Sequence, residues 1–537
     1  MVFVSISKTL AFAALTTLAL TSSSANAAGE SLQSLPTVRH CVHRALREQG
    51  SVNLIVTMKR GTDEVLKQAD QGEFASRGDK IESLVSRLEK NAKESQAKLI
   101  EDIKRKGTED KPLFGESQSY WITNQIYFKD ASPDLVQVLS EMPDIEEIRE
   151  EKAVELAGAP QAYALPQISR NLTETDVEWN IKKIGAPDVW ATGNRGEGVV
   201  VGVIDSGAIA THEALRDSFR GEYGWFDPVQ NKTQPVDGEG HGSHVVGTIA
   251  GSHGIGVAPG AKWMMCRGCG GRKCEERHLL ACAEFMMCPT DPNGNKRDCT
   301  KAPRVINNSW AMKGNFFDQS IATWRAAGII PVFGVGNLCY GCSSAAYPSH
   351  LRDVIAVGAT DKDDGLMIGS CKGPSPTGLV KPDLSAPGVA IRSVSTKDNS
   401  AYMSRVGSSM ASPHVTGAIA LMLSAHPEFK YDQVLAKLRE SAATKSLQPS
   451  GYECGGTPDT VFPNNQYGSG RLSAAKALGL PAQDEAPRQK VDPCDQMPDR
   501  FCVQAAKCLW DATQGRRGKC VPRPTSIDED DDRPIWS

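Results

Sequence analysis

Three short motifs place an acid, an imidazole and a hydroxyl in one chain. VVVGVIDSG ends an apolar run at Asp205, GEGHGSHVVGTIAG sets His241 between glycines, and GSSMASPHVTG carries Ser409 before a further apolar run. A serine hydroxyl is a weak nucleophile until a base removes its proton, and histidine suits that role because its pKa lies near neutrality. A carboxylate then fixes the imidazole tautomer and stabilises the imidazolium. These residue types predict acyl transfer, in which Asp205 orients the imidazole, His241 is the general base and Ser409 is the nucleophile.

A fourth motif, IIPVFGVGN, supplies an amide at Asn337. The tetrahedral intermediate of acyl transfer carries an oxyanion, and one donor to it contributes about 10²–10³ in rate. The backbone N–H of Ser409 would be a second donor at a helix N-terminus. Pro413 fits this interpretation if it lies in the first helical turn, where its missing N–H would have no partner. Ser408 is predicted to be only a turn residue.

These motifs need a scaffold that gathers distant residues. GEGVVVGVIDSG, PRVINNSW, IIPVFGVGN and DVIAVGAT are nearly continuous apolar runs, typical of parallel strands buried on both faces. Helical stretches lie between several of them, which predicts a doubly wound α/β domain with a mostly parallel sheet. In such a sheet, functional side chains collect beyond the carboxyl ends of the strands.

In order and on the expected elements, VIDSG, HGSHVVGTIAG, NNSW, GVGN and GSSMASPHVTG resemble the motifs of the subtilisin-like serine proteases. The resemblance covers roughly residues 177–480, and WNIKKIGAPDVW and GVAPGAKWMMCRGCG look further like the bacillopeptidase F branch. It implies a secreted serine endopeptidase that acts on protein or peptide substrates and requires no cofactor for its chemistry. It also allows a structural calcium ion, but no ligand motif is recognisable, so the metal ligands are unknown.

The resemblance also assigns residues beyond the triad. It makes Asn337 the oxyanion donor and Ser309, Trp310 and Ala311 the strand that pairs with substrate and walls the first specificity pocket. Ala311 stands where glycine is common in the family, which implies a narrower pocket. For Trp310 a core position is an equal alternative. Core positions are also predicted for His244 and His414.

The chain ahead of this domain has a different character. Residues 1–27 have a short apolar stretch and an Ala-Asn-Ala site, which predicts a signal peptide and an extracellular, secreted protein. Patterning in residues 28–160 predicts a small α+β unit with strands at 52–58, 120–128 and 145–156, a helix at 79–103 and a helix start at Ser132-Pro133. The resemblance implies a ferredoxin-like propeptide, an intramolecular inhibitor removed by self-processing near the 157–176 linker.

The predicted catalytic domain spans residues 175–480, and a cysteine-rich end follows it. Residues 481–493 predict a linker, 494–520 a disulfide-rich module and 521–537 an acidic flexible tail. Four cysteines lie in that module, ten lie between Cys266 and Cys454, and Cys41 is alone. Once Cys41 is set aside, each group has an even number of cysteines. In an exported protein this favours disulfides within each module. The tail is expected either to bind a surface or partner or only to protect the C-terminus.

One cysteine cluster has a second interpretation. Cys266, Cys269, Cys274 and His278 have a spacing that could ligate zinc, although disulfides are favoured in an exported protein. The formal charge of −4 does not favour nucleic acid as a partner, and no later stretch is long and apolar enough for a transmembrane segment.

Two other functions compete with the endopeptidase. One is an inactive scaffold whose tail binds a partner, which would not need Asp205, His241, Ser409 and Asn337 together. The other is a serine-carboxyl peptidase, which would need a glutamate in place of His241 and an acid in place of Asn337.

Overall fold

The computed structural model describes residues 35–70, 72–106, 112–156, 176–311, 314–481, 508–511 and 519–522. The predicted signal peptide, both predicted linkers except Asp176 and Pro481, the acidic tail beyond Pro522 and most of the cysteine-rich module lie outside the described residues. Among the described residues, no helix combines the length and apolarity that a membrane crossing requires.

Residues 35–156, here called the N-terminal unit, form an α+β layer with one five-stranded sheet. Its elements are β1 (Thr37–Val38), α1 (His40–Gln49), β2 (Val52–Met58), α2 (Asp63–Asp70), α3 (Arg77–Lys106), β3 (Ser117–Tyr120), β4 (Gln125–Ala131), α4 (Pro133–Ser140), β5 (Ile145–Glu150) and β6 (Ala153–Leu156). The sheet order is β1-β5-β2-β4-β3, and only the β1–β5 pair is parallel. Ser132 caps α4 as its sequence predicts, since its Oγ accepts the Leu135 N–H at 3.2 Å.

Two predicted strands of this unit are each broken in two. The apolar run 120–128 contains a turn at residues 121–124 between β3 and β4, and Asn124 at its end has a φ of 50°. The run 145–156 breaks at Lys152, whose N–H donates to the Glu276 carboxylate at 3.0 Å. As a result β5 stays in the N-terminal sheet, while β6 joins strands from the following part of the chain.

Residues 176–481, here called the C-terminal unit, carry the apolar runs. Its helices are α5 (Trp179–Lys183), α6 (Ala186–Trp190), α7 (His241–Ala250), α8 (Glu276–Met287), α9 (Asp318–Ala326), α10 (Ser408–Ala425), α11 (Tyr431–Glu440) and α12 (Ala474–Ala477). Its strands are β7 (Val200–Asp205), β8 (Trp225–Phe226), β9 (Lys262–Arg267), β10 (Cys269–Gly270), β11 (Lys273–Glu275), β12 (Val305–Asn308), β13 (Trp310–Ala311), β14 (Ile330–Gly334), β15 (Ile355–Thr360), β16 (Leu384–Pro387), β17 (Ile391–Val394), β18 (Tyr402–Arg405), β19 (Glu453–Cys454) and β20 (Thr457–Pro458). A last hairpin, β21 (Cys508–Asp511) with β22 (Lys519–Pro522), follows further along the chain.

A seven-stranded sheet in the order β16-β15-β14-β12-β7-β9-β8 organises the C-terminal unit, and all its pairs are parallel. Its strands have nearly continuous burial because helices cover both faces. Helices α7 and α10 belong to the core on one face, and α8 and α9 belong to the core on the other. The α/β prediction is therefore confirmed, and the carboxyl ends of β7, β12 and β14 share one edge.

Candidate active site

The predicted acid and base meet at that edge. Asp205 is the last residue of β7, and His241 is the first residue of α7. Their side chains are 0% and 2% exposed, and His241 Nδ1 lies 2.8 Å from Asp205 Oδ1. That oxygen also accepts the Ser206 N–H at 2.7 Å. A carboxylate on Nδ1 selects the tautomer that leaves Nε2 as a proton acceptor, and His241 Nε2 has no hydrogen-bond partner among the described residues.

Asp237, which is not among the residues predicted from the sequence, holds the loop that leads into α7. Its Oδ1 accepts the Gly240 N–H at 2.8 Å and the Ser206 hydroxyl at 2.9 Å. Its Oδ2 accepts both the N–H and the hydroxyl of Ser243, at 2.9 and 2.7 Å. The signal was the Asp-Gly pair ahead of His241, a turn-forming pair. Asp237 therefore ties the start of α7 to the residue after Asp205.

A glycine is required beside the histidine. A Cβ on Gly242 would lie 2.1 Å from the Gly207 carbonyl oxygen and 3.1 Å from the Asp205 Cβ. The close approach of α7 to the end of β7 therefore depends on the missing side chain.

Ser409 lies in the first turn of α10, and Asn337 lies just beyond β14. The Ser409 hydroxyl donates to the Ser309 carbonyl at 3.1 Å. The Asn337 Oδ1 accepts the Ser408 N–H at 2.8 Å, so the acceptor end of this amide is held by α10 and its donor end is Nδ2. The Ser408 hydroxyl accepts the Gly336 N–H at 3.2 Å, which joins the two segments a second time. Ser408 is thus a structural link rather than only a turn residue.

The prediction that Pro413 lies in the first helical turn is wrong. Helix α10 begins at Ser408, so Pro413 is in its second turn and leaves the Ser409 carbonyl without its helical partner. The Ser309 hydroxyl donates to that carbonyl at 3.1 Å instead. The proline thus creates an acceptor, through which the segment after β12 is tied to the helix that carries Ser409.

A strand of the N-terminal unit lies beside these residues. In the order β10-β11-β6-β13, β6 is antiparallel to both neighbours. Leu156 is opposite Trp310, and Glu155 is opposite Ala311. The Leu156 N–H also donates to the Arg272 carbonyl at 2.8 Å. The segment that includes Trp310 and Ala311 therefore pairs with an extended segment of the same chain.

The Trp310 side chain is buried in the core, while its backbone pairs with β6. Its indole N–H donates to the Ile204 carbonyl at 3.1 Å, and its ring packs edge-on against Phe317 and Phe333. The other two histidines are core residues as well. His244 bonds the Ile391 carbonyl, and burial holds its pKa well below the usual range. Burial lowers the pKa of His414 to about 4.

The ten cysteines between residues 266 and 454 form five disulfides. The pairs are Cys266–Cys282, Cys269–Cys274, Cys288–Cys299, Cys339–Cys371 and Cys342–Cys454. The preference for disulfides is confirmed, and the zinc alternative is wrong because three of its four ligands are in disulfides. Burial lowers the pKa of His278 to about 4.

No described side-chain cluster fits the calcium ion that the resemblance allows. Among the described residues, Glu82, Cys288 and Cys299 form the one group of three His, Cys, Asp or Glu donors that lie close together. Its two sulfurs are joined in a disulfide, and calcium takes oxygen ligands.

Comparisons with known proteins agree with this architecture. Residues 196–470 match the Subtilase family. The chain is 33% identical to bacillopeptidase F of Bacillus subtilis (strain 168) over 427 residues, which are 74% of this chain but 28% of that protein. It is also 33% identical to Subtilisin BL of Lederbergia lenta over 307 residues, which are 56% of this chain and 98% of that relative. The chain thus spans under a third of the first relative and nearly all of the second.

Proposed function

The chain belongs to the subtilase family, and from that premise we propose that it is a serine endopeptidase that cleaves proteins through Asp205, His241 and Ser409. The contact of 2.8 Å between His241 Nδ1 and Asp205 Oδ1 carries this proposal, together with the lack of a hydrogen-bond partner for Nε2 among the residues that the structure describes. It supplies a base of the correct tautomer beside the edge where α10 presents Ser409.

In the proposed reaction, the Ser409 hydroxyl leaves the Ser309 carbonyl and gives its proton to His241 Nε2. The Ser409 Oγ bonds to the scissile carbonyl carbon, and the carbonyl π electrons move to oxygen. The oxyanion is stabilised by Asn337 Nδ2 and the Ser409 N–H, while Asp205 stabilises the imidazolium.

The tetrahedral intermediate then collapses, and the C–N bond breaks. The amine departs with the proton from His241, which leaves an ester on Ser409. Water, deprotonated by His241, hydrolyses the ester and restores the hydroxyl. Every proton taken up by His241 is thus returned, so the cycle needs no cofactor.

We also propose that the N-terminal unit inhibits its own chain until cleaved. The support is the pairing of β6 with β11 and β13, where an extended substrate would lie. Glu155 is opposite Ala311 and Leu156 is opposite Trp310, so a substrate bound in the same register would bring its next residue opposite Ser309. The Ser309 carbonyl is 3.1 Å from Ser409 Oγ. We therefore propose cleavage of the bond after Ala157, within the predicted maturation linker.

Three further assignments stay proposals. Secretion rests on the predicted signal peptide at residues 1–27, and a calcium ion rests on the family resemblance alone. For the cysteine-rich tail, a chain truncated at residue 481 separates targeting from protection. Unchanged activity on soluble protein with lost surface binding would support targeting.

The test compares the wild-type chain with Ser409→Ala, both expressed with secretion. We expect the wild type to digest casein and to mature with Gly158 as its first residue, while Ser409→Ala remains a full-length precursor. If both chains mature and digest casein, Ser409 is not the nucleophile. If the variant matures but is inactive, another protease performs the processing. If neither chain digests casein, the inactive scaffold replaces the endopeptidase proposal.

A further inference from the structure

The hairpin β10–β11 forms one side of the groove that β6 occupies. β11 has three residues and pairs with β10 on one side and with β6 on the other. Lys273, Cys274 and Glu275 are opposite Glu155, Val154 and Ala153. The carbonyl oxygen of Arg272, in the turn of this hairpin, accepts the Leu156 N–H at 2.8 Å. Any extended segment in the place of β6 would therefore depend on the position of β11.

The β10–β11 hairpin has little stability of its own. β10 has two residues, and a short two-stranded pair is marginal in water. Its sequence, GCGGRKCE, has glycines on both sides of Cys269, and glycine has the largest backbone entropy to lose. Gly271 has a φ of 65°, a left-handed conformation in the turn. Some other interaction must therefore fix β11.

The Cys269–Cys274 disulfide provides that interaction. The two residues are directly opposite in the β10–β11 pair, with a Cα–Cα distance of 4.0 Å. Cys274 is in turn directly opposite Val154, so all three side chains point to one face of the sheet. Cys269 and Cys274 are fully buried, and Val154 is 4% exposed in the same apolar cluster. The disulfide thus closes the hairpin, and it lies on the same face of the sheet as the Val154 side chain.

We propose that the Cys269–Cys274 disulfide is a positioning element for extended substrates. It holds β11 against the substrate residues that are second and fourth before the scissile bond, the places of Leu156 and Val154. Because Cys274 is directly opposite Val154, the disulfide should affect substrates long enough to fill this fourth place and leave shorter ones unaffected. This inference rests on the proposed function and on the cleavage register given above.

The experiment compares the wild type with the double variant Cys269→Ala/Cys274→Ala. The matched control is Cys288→Ala/Cys299→Ala, which removes a different disulfide of the C-terminal unit, at the end of α8. Each enzyme is assayed on a short substrate with only the residue before the scissile bond, and on Val-Glu-Leu-Ala amide. We expect the Cys269/Cys274 variant to keep its kcat on the short substrate. On the tetrapeptide its KM should rise by roughly five- to 30-fold, as expected for losing one or two backbone hydrogen bonds.

Hydrogen exchange gives a second measurement that does not depend on activity. In a Ser409→Ala chain the segment 153–156 stays attached, and the Leu156 amide reports its bond to Arg272. We expect this amide to exchange faster when Cys269 and Cys274 are replaced, and to be unchanged in the Cys288/Cys299 control.

The outcomes separate the two proposals. Equal losses on both substrates, or in both disulfide variants, would overturn the positioning role and indicate general destabilisation. An unchanged tetrapeptide KM with an unchanged Leu156 amide would also overturn it. If the wild type cleaves no substrate, the proposed function fails, and exchange at Leu156 still decides whether the disulfide positions β11.

Discussion

Glu284 is expected to make binding of the N-terminal unit depend on pH. It lies on α8, and its Oε1 accepts the Ile122 N–H from the N-terminal unit at 3.3 Å. Burial raises the pKa of this carboxyl to about 8, against a smaller opposing effect of the hydrogen bonds from Ile122 and Trp121. Once the N-terminal unit leaves, water reaches the carboxyl and its pKa should return to the usual value of about 4.3.

The sign of the effect follows from the raised pKa. Between the free and the bound pKa, the complex holds one proton more than the separated units. Binding is therefore strongest below the free pKa of Glu284, and it weakens as pH rises towards about 8. Each unit of pKa difference changes the inhibition constant tenfold, so the ceiling is nearly four decades. Because part of Glu284 is still exposed, we expect about one to two decades after discounting for solvent.

The assay titrates the N-terminal unit, recovered from the processed wild type, into the mature enzyme with a short peptide substrate from pH 5 to pH 9. Glu284→Gln is neutral at every pH, so we expect its inhibition constant to be nearly flat. Glu82→Gln is the matched control, since it removes an exposed ion pair with Arg297 between the units. It should weaken inhibition without changing the slope. A slope in Glu284→Gln equal to that of the wild type would refute the reasoning.

Three further substitutions test other parts of the structure. Asn337→Leu removes the proposed oxyanion donor and should lower kcat by about 10²–10³ with little change in KM, measured by steady-state kinetics on a peptide amide. Arg149→Met leaves the buried Glu276 carboxylate without its partner across the units, 2.7 Å away in the wild type. The inhibition constant should rise, with a cost of about 3–5 kcal/mol; an unchanged constant would contradict a buried pair. Gly242→Ala forces a Cβ to 2.1 Å from the Gly207 carbonyl. The precursor should melt earlier and stay unprocessed, and normal processing would contradict the close approach of α7 to β7.

The elements that bear the site were predictable because burial on both faces leaves a clear pattern. Strands β7, β12 and β14 are buried along nearly their whole length, so their sequences are apolar until the polar residue that ends each run. Asp205 and Asn308 end two of these runs, and Asn337 follows the third. Parallel pairing then brings these ends together without further information.

The rest depended on contacts between units, which local patterning does not encode. Residues 145–156 have one continuous alternation, yet Glu276 binds the backbone N–H of Lys152 and directs β6 into another sheet. Pro413 was placed in the first turn because sequence gives no helix start inside a run of small residues. The Ser309 hydroxyl that compensates for this proline is about a hundred residues away, as its separation from Ser409 shows.

The positions of the disulfides have a consequence for the fate of the two units. All five disulfides among the described residues lie within the C-terminal unit, and Cys41 of the N-terminal unit is free. Among these residues, the peptide chain is the only covalent link between the N-terminal unit and the C-terminal unit. As the proposed inhibitor, the tethered N-terminal unit would act at an effective concentration in the millimolar range, but after cleavage it would be present only at its bulk concentration. Dilution would then promote activation of the cleaved protein, whereas a high protein concentration would keep it inhibited.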